Sequence, residues 1–193
     1  MTTLLTIIGI VVLLLAFLIV VYNKFVKNRN IVKDAWSNVD VFLKKRRDLI
    51  PNLVNTVKGY AAHEKDTLER VIQARNQAVN VPPNEINAKI AAENALQKIL
   101  RSIFALSETY PNLKADASFI NLQNQLTQIE IELERSRRYY NATVRDNNTY
   151  GESLPGVIFA GMFGYQHFDY FEVDDAEKEN VKVDFLTPTE EQA

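Results

Sequence analysis

Cysteine is absent and histidine occurs only twice in 193 residues, so disulfide scaffolds, thiol chemistry and cysteine-type zinc sites lack the residues they need. A basic surplus is missing as well. The chain carries 22 Lys+Arg against 24 Asp+Glu, a net charge of -2, which argues against nucleic acid as a partner. The histidines do not form the Glu-x-x-His pairs that hold two metals inside helical bundles, because Tyr60 stands three residues before His63 and Gly164 three before His167. His63-Glu64 does not extend into a zincin motif either, and one hydrogen bond at the surface is the expected role of His63. The glycines around Gly161 lack the strand-turn-helix setting of a phosphate-binding loop. These absences predict no catalytic set, no metal and no cofactor, and therefore no enzyme.

What is present begins with an uncharged run that opens at Leu4 and closes at Val21, in which Thr6, Gly9 and Ala16 are the only small or polar members. Eighteen residues rise about 27 Å as a helix, close to the thickness of a bilayer's hydrocarbon core. A cleaved signal peptide would need a basic start, a shorter apolar stretch and a small-x-small cleavage site. Instead the run is followed by Tyr22, Asn23 and Phe25, which predicts an uncleaved anchor that meets the lipid bilayer through residues 4–21.

Lys24, Lys27, Arg29 and Lys33 follow directly, whereas Met1 and two threonines precede the run, so the positive-inside rule predicts a single-pass protein with its larger part on the cytoplasmic side. The same four cations are candidate contacts for anionic lipid headgroups, although setting orientation alone is the simpler role. A second basic run, Lys44, Lys45, Arg46 and Arg47, lies about 33 Å further along if the helix continues from Tyr22, and reads as a solvated helix end. Self-association through the span remains an alternative, but Gly9 has no glycine four residues away to form a close-packing seam.

After the anchor the apolar residues take helical spacing as far as about residue 148. One stripe is Val32, Trp36, Val39 and Leu43; a second is Leu53, Val57, Tyr60, Leu68, Val71 and Ala78, with Glu64 and Arg75 as charged interruptions. A third is Ile86, Ile90, Ala95, Ile99, Ile103 and Leu106, and a fourth is Phe119, Leu122, Leu126, Ile129, Leu133, Tyr140 and Val144. Val81-Pro82-Pro83-Asn84 breaks the series, with Asn84 able to cap the helix that follows. Pro51 and Pro111 read as helix starts, giving two αα-hairpins; a kink at Pro51 inside one long helix is the competing reading.

From residue 150 the composition changes to Gly151, Pro155, Gly156, Gly161 and Gly164, followed by Tyr165, Phe168, Tyr170 and Phe171. Residues 150–193 hold ten acidic side chains and two lysines, a net of -8, whereas residues 24–149 hold twenty basic and fourteen acidic, a net of +6. That asymmetry predicts contact between the two parts, with Val181, Val183 and Phe185 alternating as an extended segment and residues 187–193 disordered. The predicted fold is all-α: a transmembrane anchor over residues 1–23, an antiparallel four-helix bundle over 24–149, and an irregular aromatic and acidic segment over 150–193.

Several further matches are specific in order and spacing. They comprise Tyr22-Asn23, Arg29-Asn30, Ala35-Trp36-Ser37, the block Arg46-Arg47-Asp48-Leu49-Ile50-Pro51-Asn52-Leu53-Val54, then Val57-Lys58-Gly59-Tyr60 and His63-Glu64. With Phe119, Leu122-Gln123, Leu126, Glu130, Arg137, Tyr140-Asn141, Val144-Arg145, Gly164-Tyr165 and Tyr170-Phe171-Glu172, the chain resembles the LemA family of bacterial membrane proteins over nearly its whole length. The resemblance implies one N-terminal membrane helix carrying a helical bundle, and it supplies no catalytic residues. Asn147, Leu154 and Val181 depart from the family pattern, which usually has Tyr, Phe and Pro there.

The function expected from these features is a membrane-anchored interaction module that binds a protein partner. Tyr165, Phe168, Tyr170 and Phe171, within residues 165–175, are its candidate partner surface, together with the Lys44, Lys45, Arg46 and Arg47 end. Packing of those aromatic rings against the bundle is the competing reading. The alternative function is a ligand- or metal-binding bundle that uses interior charges at Glu64, Arg75, Glu130 and Arg137. Pairing of such charges across helices to fix register is the simpler role.

Overall fold

The computed structural model describes residues 1–83 and 85–172, and among these the regular structure is entirely helical. Helix α1 (Thr2–Tyr60) is followed by α2 (Lys65–Asn80), α3 (Ile86–Ser107), the single turn α4 (Pro111–Lys114), α5 (Ala117–Glu152) and the single turn α6 (Gly156–Phe159). Asn84, expected as a cap, and Val181, Val183, Phe185 and residues 187–193 lie outside the described residues. Glu85 occupies the position before α3, without a capping bond from its side chain.

The 59 residues of α1 span about 88 Å as one helix. Pro51 therefore does not start a helix as expected. Its ring removes the bond to the Arg47 carbonyl, but Ile50 and Leu53 on either side are buried and hold the helix across the gap, while Pro51 faces outward. The second stripe, which runs from Leu53 to Ala78 in the sequence, is divided between α1 and α2 at residues 61–64. There the Ala61 N–H still donates to the Val57 carbonyl at 2.8 Å and the Glu64 N–H turns back to the Ala61 carbonyl. His63 is exposed in this turn. Pro111 does start a helix, at the first turn of α4.

The first part of α1 has no cover. Leu4, Leu5, Ile7, Ile8, Ile10 and Val11, spread around the helix, are all 48–63% exposed, so every face of this stretch is apolar and bare. By length and composition this stretch is able to cross a membrane. From Phe25 onward α1 packs against α5, with partners falling along α5 as they climb along α1: Phe25 with Tyr150, Trp36 with Tyr140, Arg46 with Glu130, and Tyr60 with Asp116. Helix α2 packs on α3 and on α1.

Two apolar clusters form the core. Nearer the bare end are Val32, Ala35, Trp36, Val39 and Leu43 of α1 with Ile90, Leu133, Tyr140, Val144, Phe168 and Phe171. Farther from it, Ile50, Leu53, Val54 and Val57 pack with Leu68, Val71, Leu96, Leu100, Ile103, Phe119, Leu122 and Leu126. On α1 the clusters are separated by the residues between Leu43 and Ile50, on α3 by those between Ile90 and Leu96, and on α5 by those between Leu126 and Leu133.

Asp116 begins α5. Its carboxylate accepts from the Phe119 N–H at 2.8 Å and from the Tyr60 hydroxyl at 2.8 Å, which ties the end of α1 to the start of α5. The Phe119 amide first, then the Tyr60 hydroxyl, hold the Asp116 carboxyl below its ordinary value. A carboxylate with a depressed folded pKa contributes stability above its unfolded value, near 3.9, and loses it as pH falls through the lower folded value. Unfolding midpoints of the full chain in detergent, followed from pH 7 to pH 3, are therefore expected to exceed those of Asp116→Ala by a constant margin that shrinks only below about pH 4. A margin that persists unchanged to pH 3 would show that the charge on Asp116 contributes nothing.

Candidate functional site

The gap between the two apolar clusters is filled by charge. Arg46 and Arg47 lie one helical turn after Leu43 and one before Ile50, on the buried seam of α1, and are 1% and 7% exposed. This corrects the reading of Lys44, Lys45, Arg46 and Arg47 as a solvated end: Lys44 and Lys45 are exposed, Arg46 and Arg47 are interior. Glu93 enters the same layer from α3, fully buried, and receives both guanidinium groups. Its Oε2 accepts from Arg46 at 2.7 Å and its Oε1 from Arg47 at 2.6 Å. Arg46 also donates to the Glu93 carbonyl at 3.2 Å and Arg47 to the Ala78 carbonyl of α2 at 3.3 Å. The layer thus joins α1, α2 and α3 through one carboxylate and two arginines.

Helix α5 closes the other side. Glu130 accepts from Arg46 at 3.1 Å and lies 3.8 Å from Arg137. Arg137 donates to Gln97 at 3.4 Å, and its guanidinium lies over the Phe171 ring at 4.3 Å from the centroid. At the edge, Asp40 pairs with Lys89 at 2.7 Å and with Arg47 at 3.7 Å. Four cations therefore meet three carboxylates. Burial pulls the Arg137 guanidinium down to about 10; Glu130 opposes the shift and the neighbouring Arg46 charge adds to it. At neutral pH Arg137 therefore remains charged and must be paired inside the protein.

Of the four interior charges expected to act together, Glu130 and Arg137 do meet, whereas Glu64 and Arg75 lie elsewhere. Glu64 precedes α2 and accepts from the Tyr110 hydroxyl at 3.1 Å, and Arg75 donates to Asn76 at 3.2 Å. Among the described residues, no three His, Asp or Glu side chains converge as metal ligands. Arg46, Arg47, Glu93, Lys89 and Asp40 escape a reading that treats charge as an interruption of an apolar stripe. One signal was available on α3. Lys89, Glu93, Leu96, Leu100, Ile103 and Ser107 are all buried and alternate by four and three, whereas Ala95, placed in the expected stripe, is exposed.

The expected aromatic partner surface is placed differently. Phe168 and Phe171 are 7% and 2% exposed and belong to the core cluster around Trp36 and Tyr140, so they have no face to offer a partner. Tyr165 is half-buried and Tyr170 is 42% exposed. The extended backbone of residues 166–172 is fastened to α5 by side-chain amides. Asn148 donates to the Phe168 carbonyl at 2.8 Å and accepts from its N–H at 3.2 Å; Asn141 does the same to Phe171, at 3.0 and 2.8 Å. The spacings agree: seven helical residues rise about 10.5 Å and three extended residues cover about 10 Å. Asn147 adds a bond to the Gln166 carbonyl at 2.9 Å, and Tyr140 one to the Asp169 carbonyl at 3.0 Å. Burial pushes the Tyr140 hydroxyl up to about 12, with the Asp169 charge adding to the shift.

The expected lipid contacts divide in two. Lys24 and Lys27 are exposed and line an open groove of about 570 Å³ together with Arg145, Asp146 and Thr149 of α5. Lys33 is exposed further along, and Arg29 is half-buried beside Asn147, Phe163 and Gln166.

Comparison with known proteins gives several relatives of low identity. "Protein LemA" of Metamycoplasma hominis is 22% identical over 127 aligned positions, 66% of this chain and 58% of that protein's length. "Magnetosome protein MamQ 2" of Paramagnetospirillum magneticum is 22% identical over 186 positions, 84% of this chain and 68% of the relative. "Magnetosome protein MamQ" of Magnetospirillum gryphiswaldense is 22% identical over 174, covering 78% and 64%. The model of the LemA family matches residues 35–185, a span that holds the charge layer, the asparagines of α5 and the segment they fasten, and the chain belongs to the LemA family.

Proposed function

We propose that this chain is a single-pass membrane protein whose helices beyond the bilayer form an antiparallel four-helix bundle, held on the cytoplasmic side as a scaffold that recruits a protein partner and performs no chemistry itself. The observation that carries the reading is the continuity of α1. The same helix that is apolar over residues 4–21 and bare over residues 4–15 supplies the core seam at Val32, Trp36, Val39, Leu43, Ile50 and Leu53, with no linker between the two. A body attached in this way is held at a fixed height and orientation, which suits presentation of a surface. The cations at Lys24, Lys27, Arg29 and Lys33 support the cytoplasmic orientation.

A ligand-binding role for the charge layer has less support. The acceptors of Arg46 and Arg47 are supplied from within by Glu93, and Glu64 and Arg75 bond to Tyr110 and Asn76 instead. Register pinning accounts for it better.

The test uses sealed inside-out and right-side-out vesicles from cells expressing the full chain. Protease added outside is expected to digest the helical body only in the inside-out preparation, and alkaline washing to leave the protein in the membrane. Crosslinking in native membranes is then expected to capture a partner with the full chain and lose it with a chain lacking residues 4–21. Digestion in right-side-out vesicles would overturn the orientation, and equal capture by both forms would overturn the need for the anchor.

A further inference from the structure

The segment that follows α5 returns to the bare part of α1. From Ser153 to Gln166 it carries no charge, and Leu154, Val157, Ile158 and Met162 are 74%, 50%, 66% and 74% exposed. A run of four large apolar side chains turned outward is costly in water and calls for a covering. Its position along α1 identifies the covering. Tyr150 packs on Phe25 with ring centroids 4.9 Å apart; the chain then descends, so that Phe159 meets Phe17 at 6.2 Å, and climbs back through Phe163 on Tyr22 at 5.4 Å to Tyr165 on Phe25 at 6.1 Å. Phe17 lies four residues inside the apolar run from Val21, about 6 Å along the helix, and about 10 Å from Lys24.

We infer that residues 153–165 form a second membrane element, a short dip into the same leaflet that α1 crosses, with Leu154, Val157, Ile158 and Met162 buried among lipid acyl chains. The inference rests on the proposed membrane anchoring by residues 4–21. The depth agrees with that of interfacial segments, roughly 5–10 Å below the headgroups. A backbone that enters lipid must satisfy its polar groups internally. Here the Val157 N–H donates to the Ser153 carbonyl at 2.9 Å, Ile158 to Pro155 at 3.2 Å, Phe163 to Phe159 at 2.9 Å and Tyr165 to Ala160 at 2.9 Å. Gly156 makes the return tight. A Cβ there would overlap the Tyr150 carbonyl and touch the Phe25 ring, so the segment could not lie so close to the helices with a larger residue. The turn at Gly164, with φ of +63°, starts the exit toward the fastened residues 166–172.

Because the chain has no cysteine, single-cysteine variants report one position each. Ile158→Cys, Met162→Cys, Leu13→Cys and Glu69→Cys would be made in the full chain, labelled with an environment-sensitive fluorophore, and reconstituted in phosphatidylcholine–phosphatidylglycerol vesicles containing lipid with a nitroxide on the upper acyl chain. Labels at 158 and 162 are expected to show blue-shifted emission and nitroxide quenching comparable to that at 13, with the label at 69 unaffected. Quenching at 13 without quenching at 158 and 162 would overturn the dip and leave the anchor in place, including the case in which a second copy or another protein covers the segment. Absence of quenching at 13 would overturn the anchoring itself and the dip with it.

Discussion

Glu93→Leu is expected to be among the most damaging single substitutions in this protein, costing about 3–5 kcal/mol of unfolding free energy, because removing one partner of a buried ion pair leaves an uncompensated charge inside. Here two guanidinium groups lose their shared acceptor at once, and neither has water to replace it: Arg46 and Arg47 are 1% and 7% exposed. Glu130→Leu should cost less, since the Glu130 side chain is 37% exposed, Arg46 retains Glu93, and Arg137 retains Gln97 and the Phe171 ring. The explanation is separable from simple loss of packing. Replacing Arg46, Arg47 and Glu93 together by Met, Met and Leu removes charge and partner in one step, and is expected to recover most of the stability lost in Glu93→Leu. Denaturant unfolding of the four proteins in the same detergent decides the matter. A triple variant no more stable than Glu93→Leu would mean that the layer's shape, rather than its charge balance, holds the helices.

The layer has a consequence for specificity beyond its energy. Apolar seams above and below it are tolerant of slippage by one turn, because leucine, valine and isoleucine replace one another with modest cost. A carboxylate that must meet two arginines on another helix is not tolerant. A shift of one turn in α3 against α1 would move Glu93 by about 5.4 Å, away from both arginines. The height of α3 relative to α1 is thereby set by Glu93, and that of α5 by the pairing of Glu130 with Arg46.

Much of the helical framework was legible because its burial follows apolar spacing. Val32, Trp36, Val39 and Leu43, and Phe119, Leu122, Leu126, Leu133, Tyr140 and Val144, are all buried as their periodicity predicts. The candidate site was less legible for a physical reason. Arg46 and Arg47 stand at seam positions, three and four residues after Leu43, yet a charge at such a position reads as an interruption until its partner is known. The partner, Glu93, is 46 or 47 residues away, and no local pattern connects them. Pro51 was misread because local preference favours a helix start there, whereas burial of Ile50 and Leu53 outweighs the one hydrogen bond lost. The asparagines of α5 had no apolar signature at all. Their role depends on a segment that returns along the helix, which is tertiary information.

Those asparagines carry the other large effect. Asn148→Ala is expected to cost about 2–4 kcal/mol and to release residues 166–172, since it leaves the Phe168 N–H and carbonyl without their acceptor and donor in a buried setting, each unpaired group costing about 1–3 kcal/mol. Asn148 is 4% exposed, so water has little access to repair the loss. The change should propagate in one direction. Phe168 and Phe171 fill the core around Trp36 and Tyr140, and once Phe168 is unfastened the strap of residues 166–172 is held by Asn141, by the Asn147 and Tyr140 bonds to Gln166 and Asp169, and by the ring of Phe171 over Arg137. Hydrogen exchange in detergent should then show faster exchange at the Phe168 and Phe171 amides, and chymotrypsin should cut within residues 166–172, while amides of α2 and α3 remain protected. Asn141→Ala is expected to give the same pattern with a smaller loss, because Asn141 is half-buried and water can reach the freed groups. Unchanged protection at Phe168 in Asn148→Ala would show that ring burial alone holds the strap, and the amide bonds would then be a consequence of its docking rather than the cause.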